Sequence, residues 1–352
     1  MQTILFTGGG TMGPVTPLLA VWREMKRRRP ELGAAWVGTP EGPERIEVEK
    51  EGIRFFSLPV VKIPRYPSIR WITWPFAFFF ARRKAAKMLA EIRPSLVVSA
   101  GGFTSVPVIR AARLRRIPCA IHQLDAEPGL SNIAVARVCQ SVTTSFRYDF
   151  PPFQKVQSEQ MPTPSRFAGI AIPTKEEAGR SFGLDPARPV VFIVGGGTGS
   201  KAVNDAVGSI LGRLLNIAQV IHLTGKGKSG GRQRPGYVVA DFFDESAMLR
   251  AYAAADIVVS RAGMGGITDA ITLKKATILV PIPRSHQEQN VRRLPFAVVQ
   301  QGDGFPDRLL KQIEQLLEDA EARRLLAEKI GAALPVDNGS TLAERWLKLV
   351  GK

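Results

Sequence analysis

The chain is poor in cysteine, short of acid, and has no long hydrophobic run. Only Cys119 and Cys139 occur among 352 residues, too few for a disulfide scaffold. No secretory signal precedes the first apolar run, which reads as a protein of the reducing cytoplasm. The uncharged stretch Pro94 to Ile109 is broken by two glycines and two prolines. It reads as a strand and loop. A transmembrane helix needs roughly 20 apolar residues, so none is expected. Low-complexity segments and short-period repeats are also missing. Hydrophobic residues at 45% and charged residues at 22% exclude a mostly disordered chain and a collagen-like fibre. The length fits two domains of about 100–200 residues each.

The shortage of acid leaves 48 Lys and Arg against 31 Asp and Glu, a net charge of +17. Such a surface seeks a polyanion, either nucleic acid or an anionic membrane. Residues 1–160 carry the larger share, with runs at Lys26-Arg27-Arg28-Arg29, Arg82-Arg83-Lys84 and Arg113 with Arg115-Arg116. Between them, residues 71–80 read Trp-Ile-Thr-Trp-Pro-Phe-Ala-Phe-Phe-Phe. Aromatic rings flanked by cations suit a membrane interface, where rings sit at headgroup depth and cations meet anionic lipid. The expected contact residues are Trp71, Trp74, Phe76, Phe79, Arg82 and Arg83. An aromatic helix buried against a sheet is the alternative. The aromatics do not interleave with cations as a base-stacking platform does, and no nucleic-acid-binding motif is present.

Two segments share one pattern. Thr3-Ile4-Leu5-Phe6-Thr7 is an apolar strand followed by Gly8-Gly9-Gly10-Thr11 and a helix from about Pro17. Val190-Val191-Phe192-Ile193-Val194 is followed by Gly195-Gly196-Gly197-Thr198 and a helix from about Ala202. Further apolar runs at 96–99, 119–122, 256–260 and 277–281 alternate with helical patterns. Continuous apolar strands separated by helices predict parallel sheets covered on both faces, hence two α/β domains. The Pro-rich stretch 151–164 is the expected boundary.

A glycine-rich turn between strand and helix lets the backbone approach a ligand and aims free N–H groups at an anion. Three such turns occur, near Gly8, Gly195 and Gly263. None has the Walker spacing, and none is followed by a convincing dinucleotide fingerprint. A phosphorylated ligand is expected, and hydride chemistry is disfavoured. In Ser260-Arg261-Ala262-Gly263-Met264-Gly265-Gly266-Ile267-Thr268-Asp269, an acid one turn into a helix suits ribose hydroxyls while the preceding N–H groups face a diphosphate. Asp269 also suits a simple complement to the helix dipole. The polar run Arg284 to Asn290 suits sugar hydroxyls, or a loop that caps the next helix.

In this order and spacing the motifs resemble the MurG family, which moves GlcNAc from UDP-GlcNAc onto a polyprenyl-pyrophosphate-linked muramyl peptide, lipid I, to make lipid II. The likeness runs from Gly8-Gly9-Gly10-Thr11 through Gly101-Gly102-Phe103, and His122 with Pro128-Gly129-Leu130-Ser131-Asn132. It continues through Pro164-Ser165-Arg166, Gly195 to Gly199, Thr224-Gly225-Lys226-Gly227 and Asp241-Phe242-Phe243-Asp244, to Ser260 through Gly263 and His286-Gln287 with Asn290. The resemblance implies a GT-B fold, two doubly wound Rossmann-like domains facing across a cleft. Residues 1–163 with 339–352 would bind acceptor and membrane, and 164–338 would bind UDP-GlcNAc. Donor-side positions are Thr11, Arg166, Gly197, Thr198, Asn204, Phe243, Gly263, Met264, Gly265, Gly266, Asp269, His286 and Gln287. Acceptor-side positions are Gly10, Gly13, Gly102, Phe103, His122 and Asn132. No cofactor and no nucleic acid are implied. The expected location is the cytoplasmic face of the cell membrane, held peripherally.

The chain departs from the family pattern in two places. Met12-Gly13-Pro14 stands where the family usually has a His, and Gln123-Leu124-Asp125 where it often has Glu-Gln-Asn. The usual acidic candidate is thus an amide. The base for an inverting displacement is expected at Asp125 first and Glu127 second. No Asp-x-Asp motif is present to carry a metal, so helix N-termini and Arg166 are expected to neutralise the leaving diphosphate. A GT-B transferase with another lipid acceptor, a UDP-GlcNAc 2-epimerase and a non-catalytic UDP-sugar-binding paralogue are the alternatives.

Overall fold

A computed structural model describes residues 2–60, 70–197, 199–229 and 234–350, with side chains from residue 73 in the second segment. The chain divides into two compact units, Met1–Arg166 with Asp337–Lys352, and Phe167–Val336.

The first unit is built on β1 (Thr3–Thr7), β2 (Gly33–Gly38), β3 (Arg54–Ser57), β4 (Leu96–Ser99), β5 (Cys119–Gln123), β6 (Ser141–Thr144) and β7 (Glu159–Gln160). They lie in the order β3-β2-β1-β4-β5-β6-β7, with all neighbours parallel. Helices α1 (Val15–Arg28), α2 (Glu44–Lys50), α3 (Arg70–Ile92), α4 (Ser105–Leu114) and α5 (Leu130–Val135) make the crossovers. Every residue of β4 and β5 is buried, as a doubly covered parallel strand requires.

Short strand β8 (Thr163–Pro164) leads out of the first unit. The second unit holds α6 (Lys175–Arg180), β9 (Val190–Val194), α7 (Lys201–Ile217), β10 (Gln219–Leu223), β11 (Tyr237–Ala240), α8 (Glu245–Ala254) and β12 (Ile257–Ser260). It continues with α9 (Met264–Thr272), β13 (Thr277–Leu279), α10 (His286–Arg292), β14 (Ala297–Val298), α11 (Phe305–Glu318) and α12 (Ala320–Gly331). The sheet order is β11-β10-β9-β12-β13-β14, again parallel throughout. On α7, Val203, Ala206, Val207, Ile210 and Leu214 recur at helical spacing and close over Val191, Ile193 and Val220 of the sheet. After β15 (Val336–Asp337), the last helix α13 (Ser340–Leu347) belongs to the first unit and packs on α1.

Strand order reverses between β1 and β4 in the first sheet and between β9 and β12 in the second. Ligands of open α/β sheets bind outside the strand ends at such switch points. Four of the glycine turns read from the sequence emerge there: Gly8–Gly10, Gly101–Gly102, Gly195–Gly197 and Gly263.

Two segments differ from the sequence reading. The stretch 94–109 is not strand and loop throughout, because α4 begins at Ser105. Pro107 sits in that helix's first turn, where a missing N–H costs nothing. The polar run 286–290 is helical: Ser285 caps α10, its hydroxyl accepting from the Gln287 N–H.

Candidate active site

In the first unit, the turn after β1 lies against the turn after β4. Gly10 has φ +82°, and a Cβ there would lie 2.9 Å from the Phe103 ring. Gly102 backs onto Gly9, whose amide nitrogen would be 3.1 Å from an added Cβ. Thr11 is exposed and Gly13 half-buried. A residue that the sequence reading missed braces this turn. Glu44 opens α2 fully buried, and its carboxylate accepts from the Gly10 N–H at 3.1 Å, the Thr39 N–H at 2.7 Å and the Thr39 hydroxyl. Sequence spacing gave no hint that a helix-opening Glu reaches back 34 residues.

His122 ends among polar partners and not at a surface. It is fully buried, with Nδ1 2.9 Å from Thr143 Oγ1 and Nε2 3.0 Å from Ser145 Oγ. The Thr143 hydroxyl donates to the Ile121 carbonyl, so it accepts from Nδ1–H, and Nε2 accepts from Ser145. Burial pushes the imidazole down to about 3, so it is neutral and engaged at both nitrogens. No ring nitrogen is left for the acceptor contact expected of it. Asn132 is buried as well; its Nδ2 donates to Gln123 Oε1, and its Oδ1 has no partner among the described residues. In the loop after β5, Asp125 is half-buried and Glu127 exposed.

In the second unit the site gathers around α9. Gly263 stands at its N-cap without a side-chain cap, leaving the first N–H groups of the helix to a ligand. Met264 is buried and offers backbone only, while Gly265 and Gly266 are half-buried. A Cβ on Gly266 would lie 2.7 Å from Ser260 Oγ, so bulk is excluded on that side. Gln287 is buried; its Oε1 accepts from the Ile282 N–H, and its Nε2 would be 3.8 Å from a Cβ on Gly263. Asn290 donates to the Ala262 carbonyl. His286 is exposed and Asp269 is buried on the inner side of α9. Arg261, part of the motif read from the sequence but given no role there, donates from Nη1 to the Gly199 carbonyl, and its Nε has no partner among the described residues. Burial lowers its pKa. Its place directly after a buried strand and before Gly263 was the available signal.

The turns after β9 and β10 touch. Gly199 has φ +72°, and a Cβ there would collide with the Thr224 carbonyl. Asn204 on α7 donates to that same carbonyl at 2.9 Å and meets His222 Nε2 at 3.2 Å. His222 is buried, its Nδ1 lies 2.9 Å from Tyr237 Oη, and burial lowers it to about 4. Asp241 accepts from the Gly227 and Ser229 N–H groups, and the bond from Gly227 holds its carboxyl below the usual range. Phe243 stacks on Phe182 with centroids 5.4 Å apart. Gly197 is exposed, and Thr198 lies outside the described residues. Arg166 is half-buried and ends the first unit.

On α3, Ala81, Ala85 and Leu89 turn to the core while Phe76, Phe79 and Phe80 stay 67%, 43% and 66% exposed. Arg82 and Arg83 lie over the Phe79 ring at 5.8 and 5.7 Å. Trp74 stacks on Phe78. The Trp71 side chain lies outside the described residues. Among the described residues, no helix is long and apolar enough to cross a membrane.

The chain matches the family model for the glycosyltransferase family 28 N-terminal domain over residues 4–144 and that for its C-terminal domain over 190–336. A relative from a Nocardioides species is 34% identical over 98% of this chain and 98% of its own. It is named UDP-N-acetylglucosamine–N-acetylmuramyl-(pentapeptide) pyrophosphoryl-undecaprenol N-acetylglucosamine transferase. The chain belongs to this family, the MurG glycosyltransferases. A relative of the same name from Lachnoclostridium phytofermentans is 38% identical over 80% of this chain and 79% of its own. The crystal structure of Acinetobacter baumannii MurG superimposes with a TM-score of 0.73 at 23% identity, covering 99% of this chain and 100% of that one. UDP-GlcNAc 2-epimerase from Neisseria meningitidis gives 0.67 at 11% identity, over 99% of each; likeness at this level speaks of the shared GT-B fold alone. The resemblance read from the motifs and the two Rossmann-like domains are thus borne out, and the MurG-family chain is a glycosyltransferase.

Proposed function

We propose that this enzyme transfers GlcNAc from UDP-GlcNAc to lipid I, forming lipid II. The observation that carries the donor side is the uncapped N-terminus of α9, flanked by Arg261 and by the Gln287 amide. Free N–H groups and a guanidinium suit the charge that grows on a departing UDP diphosphate. The acceptor follows from the relatives, which are named for this transfer. The acceptor hydroxyl attacks the anomeric carbon opposite UDP, and the configuration inverts. Asp125 takes the hydroxyl proton, with Glu127 as second choice, for about 10²–10⁴-fold. Asp125→Asn then lowers turnover far more than UDP-GlcNAc affinity; unchanged turnover removes Asp125 from the reaction.

The second unit holds UDP-GlcNAc, and the first holds the acceptor at Gly10, Gly13, Gly102, Phe103 and Asn132. Helix α3 docks peripherally on the anionic cytoplasmic face of the membrane, its exposed rings in the interface and its cations on lipid headgroups. The deciding experiment is transfer of labelled GlcNAc to a lipid I analogue in anionic vesicles with EDTA present. Lipid II is the expected product. UDP-GlcNAc binding without product overturns lipid I as the acceptor, and activity lost only with EDTA overturns metal independence.

A further inference from the structure

The loop after β5 is held by one side chain. Gln123 is buried, and its carboxamide uses its full hydrogen-bonding capacity inside ten residues. Nε2 donates to the Asp125 carbonyl at 3.0 Å and to the Glu127 carbonyl at 3.0 Å. Oε1 accepts from the Gly129 N–H at 3.2 Å and from Asn132 Nδ2 at 2.7 Å. A carboxamide has two N–H donors and one oxygen that accepts two bonds, so no valence is spare. The orientation of the amide is fixed by its partners. Backbone carbonyls only accept and the Gly129 N–H only donates, so nitrogen and oxygen cannot exchange places.

The residue is anchored at its base too, because its own carbonyl accepts from the Ser145 N–H at the edge of β6. Tyr148 closes the remaining side of the loop: its hydroxyl lies 3.0 Å from the Ala126 carbonyl and 3.3 Å from that of Asp125. The carbonyls of three successive residues, 125 to 127, are thereby turned inward to Gln123 and Tyr148. Asp125 and Glu127, the two carboxylates of the loop, ride on this fixed backbone.

We propose that Gln123 is a positioning residue for the transfer reaction, its carboxamide fixing the loop that carries Asp125 and Glu127, and that a carboxylate cannot replace it. Glutamate at 123 keeps both accepting bonds but loses both donating ones, and sets an anionic oxygen against two carbonyls. This rests on the proposed reaction, in which the loop carries the base.

The test compares wild type with Gln123→Glu, Gln123→Leu and Tyr148→Phe in GlcNAc transfer from UDP-GlcNAc to a lipid I analogue. Both Gln123 variants are expected to lose turnover by roughly a hundredfold, the scale of a misplaced group, with KM for UDP-GlcNAc unchanged because the second unit is untouched. Gln123→Glu turning over as fast as wild type, or faster, overturns the proposal. So does a rise in KM for UDP-GlcNAc that accounts for the whole loss. Should the Gln123 variants not fold, Tyr148→Phe decides: a smaller fall in turnover at unchanged KM supports the assignment, and wild-type turnover overturns it. Wild type that makes no lipid II sinks the reaction reading instead. The loop is then read by amide exchange at Gly129, expected to quicken in Gln123→Leu; unchanged exchange overturns the role of the carboxamide.

Discussion

At the scale of the residue, the site is shaped by buried polar groups bonded within their own unit. Glu44 carries the turn at Gly10 through three accepted bonds, from Gly10, Thr39 N–H and the Thr39 hydroxyl. Glu44→Gln must aim an NH2 at one of those donors. Leaving a buried donor unsatisfied costs about 1–3 kcal/mol, so the first unit should unfold at lower denaturant and acceptor turnover should fall while UDP-GlcNAc affinity holds. Full turnover with unaltered stability would remove Glu44 as the brace. His122 and His222 set a pH limit by the same logic. Both are neutral in the fold, at about 3 and about 4, against 6.5 for the free side chain. Below pH 6.5 the unfolded chain binds protons that the fold refuses, so stability is whole above that value and declines as pH falls toward 4. The slope is at most about 1.4 kcal/mol per pH unit for each ring. Denaturant titrations between pH 7 and 4.5 read it, and His222→Gln should flatten the curve of the second unit; an unchanged slope would mean that His222 protonates freely in the fold.

At the scale of the element, the strand–glycine–helix units were legible because their chemistry is local. An apolar run, a glycine turn and a helical stripe identify β1 with α1 and β9 with α7 from sequence alone. The start of α4 was hidden by Gly101, Gly102 and Pro107, which read as loop although a first helical turn accepts proline. Glu44 and Gln123 were illegible for a different reason: their roles are bonds to backbone groups that only the folded turn brings within reach. The character of α3 was readable, since the eleven uncharged residues between Arg70 and Arg82 are too short to span and too aromatic to ignore. Its structure divides the faces, with Ala81, Ala85 and Leu89 inside and Phe76, Phe79 and Phe80 outside. Burying a ring fully contributes about 1.5–3 kcal/mol, and each cation near anionic lipid about 1 kcal/mol. Replacing the three phenylalanines with serine should abolish sedimentation with anionic vesicles, whereas Arg82→Gln with Arg83→Gln should weaken it most at low salt. Sedimentation equal to wild type in both would take α3 off the membrane.

At the scale of the whole molecule, the chain crosses from its first unit to its second and then returns. The return is made by α13, whose Leu342, Ala343, Trp346 and Leu347 are buried. Gly339 opens it at φ +90°, where a Cβ would lie 2.8 Å from the Val21 backbone, so the helix can enter only over a glycine. Polar ties follow on the same unit: Asn338 donates to Glu24, and Arg345 to Ser141. The last turns of the sequence therefore complete a core that begins at residue 3, and the second unit encloses its own core within Phe167–Val336. Stability should divide accordingly. Trp346→Ala leaves a cavity worth about 3–5 kcal/mol, and its cost belongs to the first unit. Amide exchange should quicken across Val15–Arg28 and stay unchanged across Lys201–Ile217, with UDP-GlcNAc binding retained. Equal loosening of both helices would mean that the two units unfold as one, and that the final helix stabilises the second unit as much as the unit it packs against.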